Sequence, residues 1–228
     1  SIDFSHIDVR DRAAGTGGFA LVATSSVPLR FDPATAEGRA NLGFLPEEQE
    51  ALAGTEIISL LRSPGEDISC LNIARPTHPR LLGVSNALVA RDGFPVRTSE
   101  PAPGGNPWVL LREDAGEAGE IPAFGDAASV QWQIHSGLDR RYPISTPGGE
   151  VELRFVGLLS GSIFQSDLLV PEAALRRLYP QMAGPSYLLI DAPDGREQKV
   201  ADALRSALGG MGLEVRSTRE VLNAYIGV

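Results

Sequence analysis

The apolar positions change period along the chain. Between Val151 and Leu159 they alternate, with Val151, Leu153 and Phe155 set against Glu152 and Arg154. This is the period-two pattern of a half-buried strand. Between Arg196 and Leu208 they return at every fourth residue, as Val200, Leu204 and Leu208, with Ala201 and Ala207 widening the face. That spacing predicts an amphipathic helix, closed by Gly209 and Gly210. Strand-like runs flank it, Tyr187 to Asp191 and Leu213 to Arg216. The strand–helix–strand unit has the length of a right-handed crossover between parallel strands. Ser217 or Thr218 then caps a last helix, with Glu220 near its positive end.

Earlier segments are less regular. A glycine-rich turn, Gly15-Thr16-Gly17-Gly18, precedes a short β-prone run from Phe19 to Ser25. Residues 34–54 have helical composition interrupted by Gly43 and Pro46, with a short helix over Glu47 to Leu52 starting at Pro46. Glu56 to Arg62 and Ile68 to Ile73 read as a hairpin joined by Ser63-Pro64-Gly65-Glu66-Asp67. Leu81 to Val89 reads as a strand followed by a short helix. Pro101, Pro103, Gly104, Gly105 and Pro107 mark a loop or lobe boundary. An acidic loop, Glu113 to Glu120, and a segment from Ala127 to Ile134 follow. A second hairpin runs from Tyr142 to Ser145, through Thr146-Pro147-Gly148-Gly149, into Val151 to Leu159. Ser160 to Glu172 reads as the turn that ends this strand and opens a helix from Pro171 to Tyr179.

Composition narrows the classes of function. The chain has 228 residues, 43% apolar and 21% charged, enough for one large domain or two lobes with a shared core. A net charge of −9 argues against nucleic acid as a partner, because phosphate binding needs a basic surface. It argues equally against broad docking on an anionic membrane. Cys70 is the one cysteine, which rules out an intrachain disulfide and a cysteine-based zinc site. It reads as a small buried hydrophobe. No run of about 18 or more apolar residues is present. The chain begins Ser1-Ile2-Asp3-Phe4 and stops within a helix-like run at Val228, so both ends are expected to continue in a longer protein.

Catalytic and metal-binding patterns are thin, and neither a cofactor nor a metal is expected. His6, His78 and His135 lack a ligand spacing. Gly15 to Gly18 precedes a strand and lacks the Lys-Ser/Thr of a phosphate-cradling loop. The acidic loop lacks the fixed spacing of a calcium loop. A serine hydrolase would need Ser162, His135, and Asp167 or Asp191, but Gly161 alone of the two nucleophile-elbow glycines is present. Trp132, Ile134, Ile163 and Phe164 offer a candidate exposed surface, against the commoner reading of such residues as core.

Several phrases, taken in order, resemble the extracytoplasmic domains of FtsX-like ABC transporter permeases, the family that includes the MacB-like proteins. They are Gly15 to Phe19 with Ser26-Val27-Pro28-Leu29, Ser69 to Pro76 with Pro79 to Val84, and Ser129 to His135. Phe155 to Glu172 and the closing strand–helix–strand–helix from Tyr187 to Val228 complete the series. In one place the order departs, at Gly137-Leu138-Asp139, where Leu-Gly-Asp is the family's order.

The resemblance implies an α+β fold of two lobes: a βαβ-containing, porter-like lobe (1–96 with 185–228) and an inserted β-rich lobe (97–184). It implies a domain without catalysis, on the extracytoplasmic or periplasmic side of an inner-membrane protein. Such a domain couples ATP-driven change to export or release of a substrate. The implied partners are transmembrane helices of the same full-length chain, an ATP-binding subunit, a second permease copy, and a lipoprotein or peptide substrate. On this reading Ile163, Phe164, Gln165 and Leu168 contact a partner, and Arg219, Leu222 and Tyr225 lie on the coupling helix. The rival classes are a secreted binding protein and the serine hydrolase.

Overall fold

The computed structural model describes residues 8–64, 79–112 and 119–226. In chain order these form β1 (Leu21–Thr24), α1 (Ala36–Asn41), α2 (Pro46–Ala51), β2 (Glu56–Arg62), β3 (Arg80–Val84), α3 (Asn86–Arg91) and β4 (Val96–Thr98). Two 3₁₀ turns (Pro103–Gly105, Pro107–Leu111) lead to β5 (Glu120–Asp126), α4 (Ala127–Trp132), β6 (Arg141–Thr146) and β7 (Gly149–Leu159). Then come β8 (Asp167–Pro171), α5 (Glu172–Leu178), β9 (Tyr187–Asp191), α6 (Glu197–Leu208), β10 (Glu214–Ser217) and α7 (Thr218–Ile226). The fold is α+β, built on one mixed sheet. Its order is β10-β1-β9-β2-β3-β8-β5-β7-β4, with β6 also on β7.

Strand β2 changes partners along its length. Its first five residues pair with β9, Glu56 opposite Asp191 through to Leu60 opposite Tyr187. Its last two, Leu61 and Arg62, pair with β3 at Gly83 and Leu82. Ser63 extends this join, its N–H donating to Leu81 O and its Oγ accepting from Leu81 N–H, both at 2.8 Å. Two parts of the sheet therefore meet along a short ladder. The first part, β10-β1-β9-β2, is antiparallel throughout. The second contains parallel pairs, β3 with β8 and β5 with β7.

The period-two pattern sorts side chains onto two faces. Along β9, Leu188 and Ile190 pack beneath α6 with Val200, Leu204 and Leu208. Tyr187 and Leu189 face a central core with Phe19, Phe94, Trp108, Phe124 and Phe164. Rings in that core touch in series, Phe19 to Phe94, Phe94 to Trp108 and Phe164, Trp108 to Phe124, and Phe164 to Tyr187. A third cluster lies under α4 and α5, around Leu153, Phe155, Leu158 and Leu175. The change of phase within β7 comes from a bulge. Phe155 pairs with Ala123 and Gly157 with Phe124, so Val156 is the extra residue and Leu158 returns to the face of Phe155.

Most periodic segments form as the pattern predicts. The hairpin of β6 and β7 closes at Thr146 opposite Gly149. Helix α6 buries Val200, Leu204 and Leu208 completely. Ser217 caps α7 through a reciprocal pair, Glu220 N–H to Ser217 Oγ and Ser217 N–H to the Glu220 carboxylate, both at 3.4 Å.

Three expectations change. β9 and β10 do run parallel across α6, but they are not neighbours, because β1 lies between them and is antiparallel to both. The helix-like run at Pro171 contains a strand before it, since β8 occupies Asp167–Pro171 and α5 starts only at Glu172. The stretch before Ala127, which carries no strand in the sequence reading, forms β5 inside the sheet. The expected strand over 68–73, with Cys70, lies outside the described residues, as do His6, His78 and most of the acidic loop.

Candidate functional site

The turn between β7 and β8 is a meeting point of distant segments. Gly15 lies against it so closely that a Cβ there would fall 1.9 Å from Gly161 O. Ile163 N–H donates to Gly15 O at 3.1 Å, and Ser160 N–H to Pro95 O at 3.0 Å. The early glycine-rich turn is thus a docking surface for backbone, which is why a side chain is excluded at position 15. Asp126 holds the turn from another side. Its carboxylate caps α4 by accepting from Ala128 N–H and Ser129 N–H, and accepts from Ser162 N–H as well. Ser129 Oγ donates to Gln165 O.

The four turn residues expected to face a partner do not all reach the surface. Phe164 is wholly buried, and Ile163 and Leu168 are nearly so. Phe164 stacks between Phe94 and Tyr187, with centroids 5.1 and 6.1 Å away. Burial therefore corrects the reading of an apolar contact surface here. Phe94, at a positive φ of 63°, lays its ring beside Gly17 and against Phe164. What the turn does present is Gln165, half-buried, and Ser166, exposed. Trp132 is 70% exposed on α4, and Ile134 packs partly against the third cluster.

Helix α7 brings the two groups of expected site residues together. Thr218 is buried at its start and donates to Phe19 O at 2.7 Å, with Ala20 O at 3.1 Å. Val221 and Leu222 enter the central core. Tyr225 Oη reaches Ser166 Oγ at 3.1 Å. One helix is therefore fixed to the residues that lead into β1 in the first part of the sheet and to the β7–β8 turn in the second. Arg219 is exposed on its outer face.

The two ends of β2 differ electrostatically. At its start, Arg91 is buried, donates to Glu56 and Asp191 (2.8 Å to the latter), and covers the face of Phe19 at 4.2 Å. At its far end, Arg62 Nε faces Asp167 Oδ1 at 3.9 Å. That distance is too long for a hydrogen bond. Neither atom has a hydrogen-bond partner among the described residues, although both are buried. Burial pushes the Asp167 carboxyl above its ordinary range, and Arg62 and Arg80 oppose that shift without cancelling it. Burial is also the main cause lowering Arg80, aided by Arg62, and the main cause raising the Tyr187 phenol. Arg62 and Arg80 line a cleft of about 730 Å³. Periodicity gave no sign of this cleft, because its residues come from strand ends and loops.

The hydrolase constellation is not assembled for attack. Ser162 is completely buried and its Oγ accepts from Phe164 N–H, whereas His135 is exposed at a positive φ of 54°. Asp167 stands with Arg62, and Asp191 with Arg91. No group of histidine, cysteine and carboxylate side chains that could hold a metal occurs among the described residues. No described helix is long and apolar enough to cross a membrane.

No protein family and no curated protein is matched by the chain. Among solved structures it is similar to the periplasmic region of MacB from Actinobacillus actinomycetemcomitans, with 10% identity, 98% of each chain covered and a TM-score of 0.41. It is similar to a domain of a proposed permease from Porphyromonas gingivalis, with 16% identity, 96% of this chain and 91% of that one covered, and a TM-score of 0.34. A third is the extracellular domain of the noncanonic ABC-type transporter YknZ from Gram-positive bacteria. There the identity is 13%, the coverage is 87% of this chain and 98% of that one, and the TM-score is 0.33.

Proposed function

We propose that this chain is the extracytoplasmic domain of an ABC transporter permease and that it couples ATP-driven movement to handling of a substrate outside the membrane. The ordered phrases of the sequence support the family. The observation that carries the coupling is the attachment of α7 to both parts of the sheet, at Phe19 and Ala20 through Thr218 and at Ser166 through Tyr225. Displacing such a helix shifts one part against the other, and the short ladder between β2 and β3 is where the sheet yields. Two packed arrangements biased by nucleotide are all that coupling requires.

The lobes follow the same division. The expected split of 1–96 with 185–228 against 97–184 is proposed in a shifted form, with β3 and α3 on the second side, because β3 pairs along its length with β8. The partners are transmembrane helices of the full-length chain, an ATP-binding subunit, a second permease copy and a lipoprotein or peptide substrate, and the domain itself carries out no catalysis.

The test is Tyr225→Phe in the complete permease assembled with its ATPase. Losing one hydrogen bond of about 1 kcal/mol sets the expected fall in transport at about fivefold, with ATP hydrolysis unchanged. An unchanged transport rate, or a parallel loss of both activities, would count against coupling through α7.

A further inference from the structure

The arginine-lined cleft lies at one end of the sheet, where five strand ends converge. It is bounded by Thr24 and Ser25 after β1, Arg62 and Ser63 at the end of β2, Arg80 at the start of β3, Ser186 before β9 and Glu214 at the start of β10. Its volume, about 730 Å³, lies within the range of small-ligand sites, roughly 300–1,000 Å³. Arg62 and Arg80 are among its lining residues, and Arg62 Nε faces Asp167 at 3.9 Å. Apolar lining comes from the loop after α5, with Pro180 and Met182, and from Pro28. Two buried polar atoms of lining residues, Arg62 Nε and Ser25 Oγ, have no hydrogen-bond partner among the described residues. A buried polar atom left without a partner is costly, and a ligand that supplies acceptors offsets that cost.

The charges are separated along the cleft. Glu214, Thr24, Tyr187 and Leu60 stand side by side across four strands, and Arg62 follows two residues beyond Leu60. Three strand spacings and two residues along a strand, about 16 Å in all, therefore separate the acidic and basic ends. An acid group is repelled at Glu214 and attracted at Arg62 and Arg80, so its orientation is set.

We propose that this cleft binds a small amphipathic anion, its acid head against Arg62 and Arg80 and its apolar body against Pro28, Pro180 and Met182. Because Arg62 and Arg80 sit on the strands that join the two parts of the sheet, the bound head group bridges that join. The proposal rests on this chain's own cleft and is independent of the transport reading.

Isothermal titration of the 228-residue chain with decanoate, decyl phosphate, decan-1-ol and decylammonium tests it. One of the two anions is expected to bind at a single site with a dissociation constant below about 1 mM. The alcohol and the ammonium should bind at least tenfold more weakly. The tighter of the two anions tells a carboxylate head from a phosphate one. Arg80→Gln should weaken anion binding at least tenfold, and so should the double variant Arg62→Gln with Asp167→Asn, which removes both buried charges together. Should the double variant fail to fold, the exposed Arg80→Gln and the ligand series still decide. Failure of both anions to bind, equal binding of alcohol and anion, or unchanged affinity in Arg80→Gln would overturn the proposal.

Discussion

Phe164 shows how far a single residue's place is decided by its surroundings. In the sequence it stands in a polar turn, between Ser162 and Ser166, where an exposed contact competes with the commoner reading as core. The structure buries it because Phe94 and Tyr187 form the two sides of its site. Phe164→Ala should therefore destabilise the domain by about 3–5 kcal/mol in denaturant unfolding; a loss below about 1 kcal/mol would return Phe164 to the surface. Asp167 makes a second prediction at this scale. Burial raises its folded-state pKa above the unfolded value of 3.8, and Arg62 and Arg80 only reduce the shift. A raised carboxyl stabilises the fold at low pH, and that contribution is lost as pH climbs from near the unfolded value through the folded one. Asp167→Asn removes the dependence. Its stability relative to the parent should rise with pH above about 4 and then level off, as read from melting temperatures across that range. A relative stability that falls with pH would show that the guanidinium groups outweigh burial.

Among the elements, legibility follows periodicity and caps. Helix α6 and the β6–β7 hairpin are readable because their apolar spacing matches one template alone. The capping pair Ser217 and Glu220 marks α7 in the same way, and Ser217→Ala should lower stability by about 1 kcal/mol, seen as faster amide exchange over Thr218–Ile226. Exchange in α7 identical to the parent would show that Thr218 alone anchors the helix. β8 is hidden because Asp167–Pro171 is five residues long and runs straight into α5, so Pro171 reads as a helix start. β5 is hidden by Pro122, which argues against an interior strand. Position 122 is tolerated because β5 bonds β8 only at Phe124, leaving Pro122 paired on the β7 side alone. The insertion of β1 between β9 and β10 has no local signal at all. Register between strands far apart in the chain is set by packing, and a strand–helix–strand pattern is the same whether its strands touch or are split.

The whole molecule is a sheet in two parts, joined by a short ladder and crossed by one helix that is fixed to each. The buried Arg91 cluster ties down the start of β2, while the far end of β2 lines the cleft, where Arg62 Nε has no hydrogen-bond partner among the described residues. On the proposed reading, the cleft end is where the two parts would separate first, with α7 as the element whose displacement would drive them. The proposed coupling role needs a membrane-embedded continuation to supply the movement. The most direct measurement is the full reading frame on both sides of these 228 residues. The account predicts an apolar run of about 20 residues ahead of Ser1, and another soon after Val228 followed by more. A reading frame that ends near Val228, with only a cleavable signal before Ser1, would contradict it and leave a secreted binding protein.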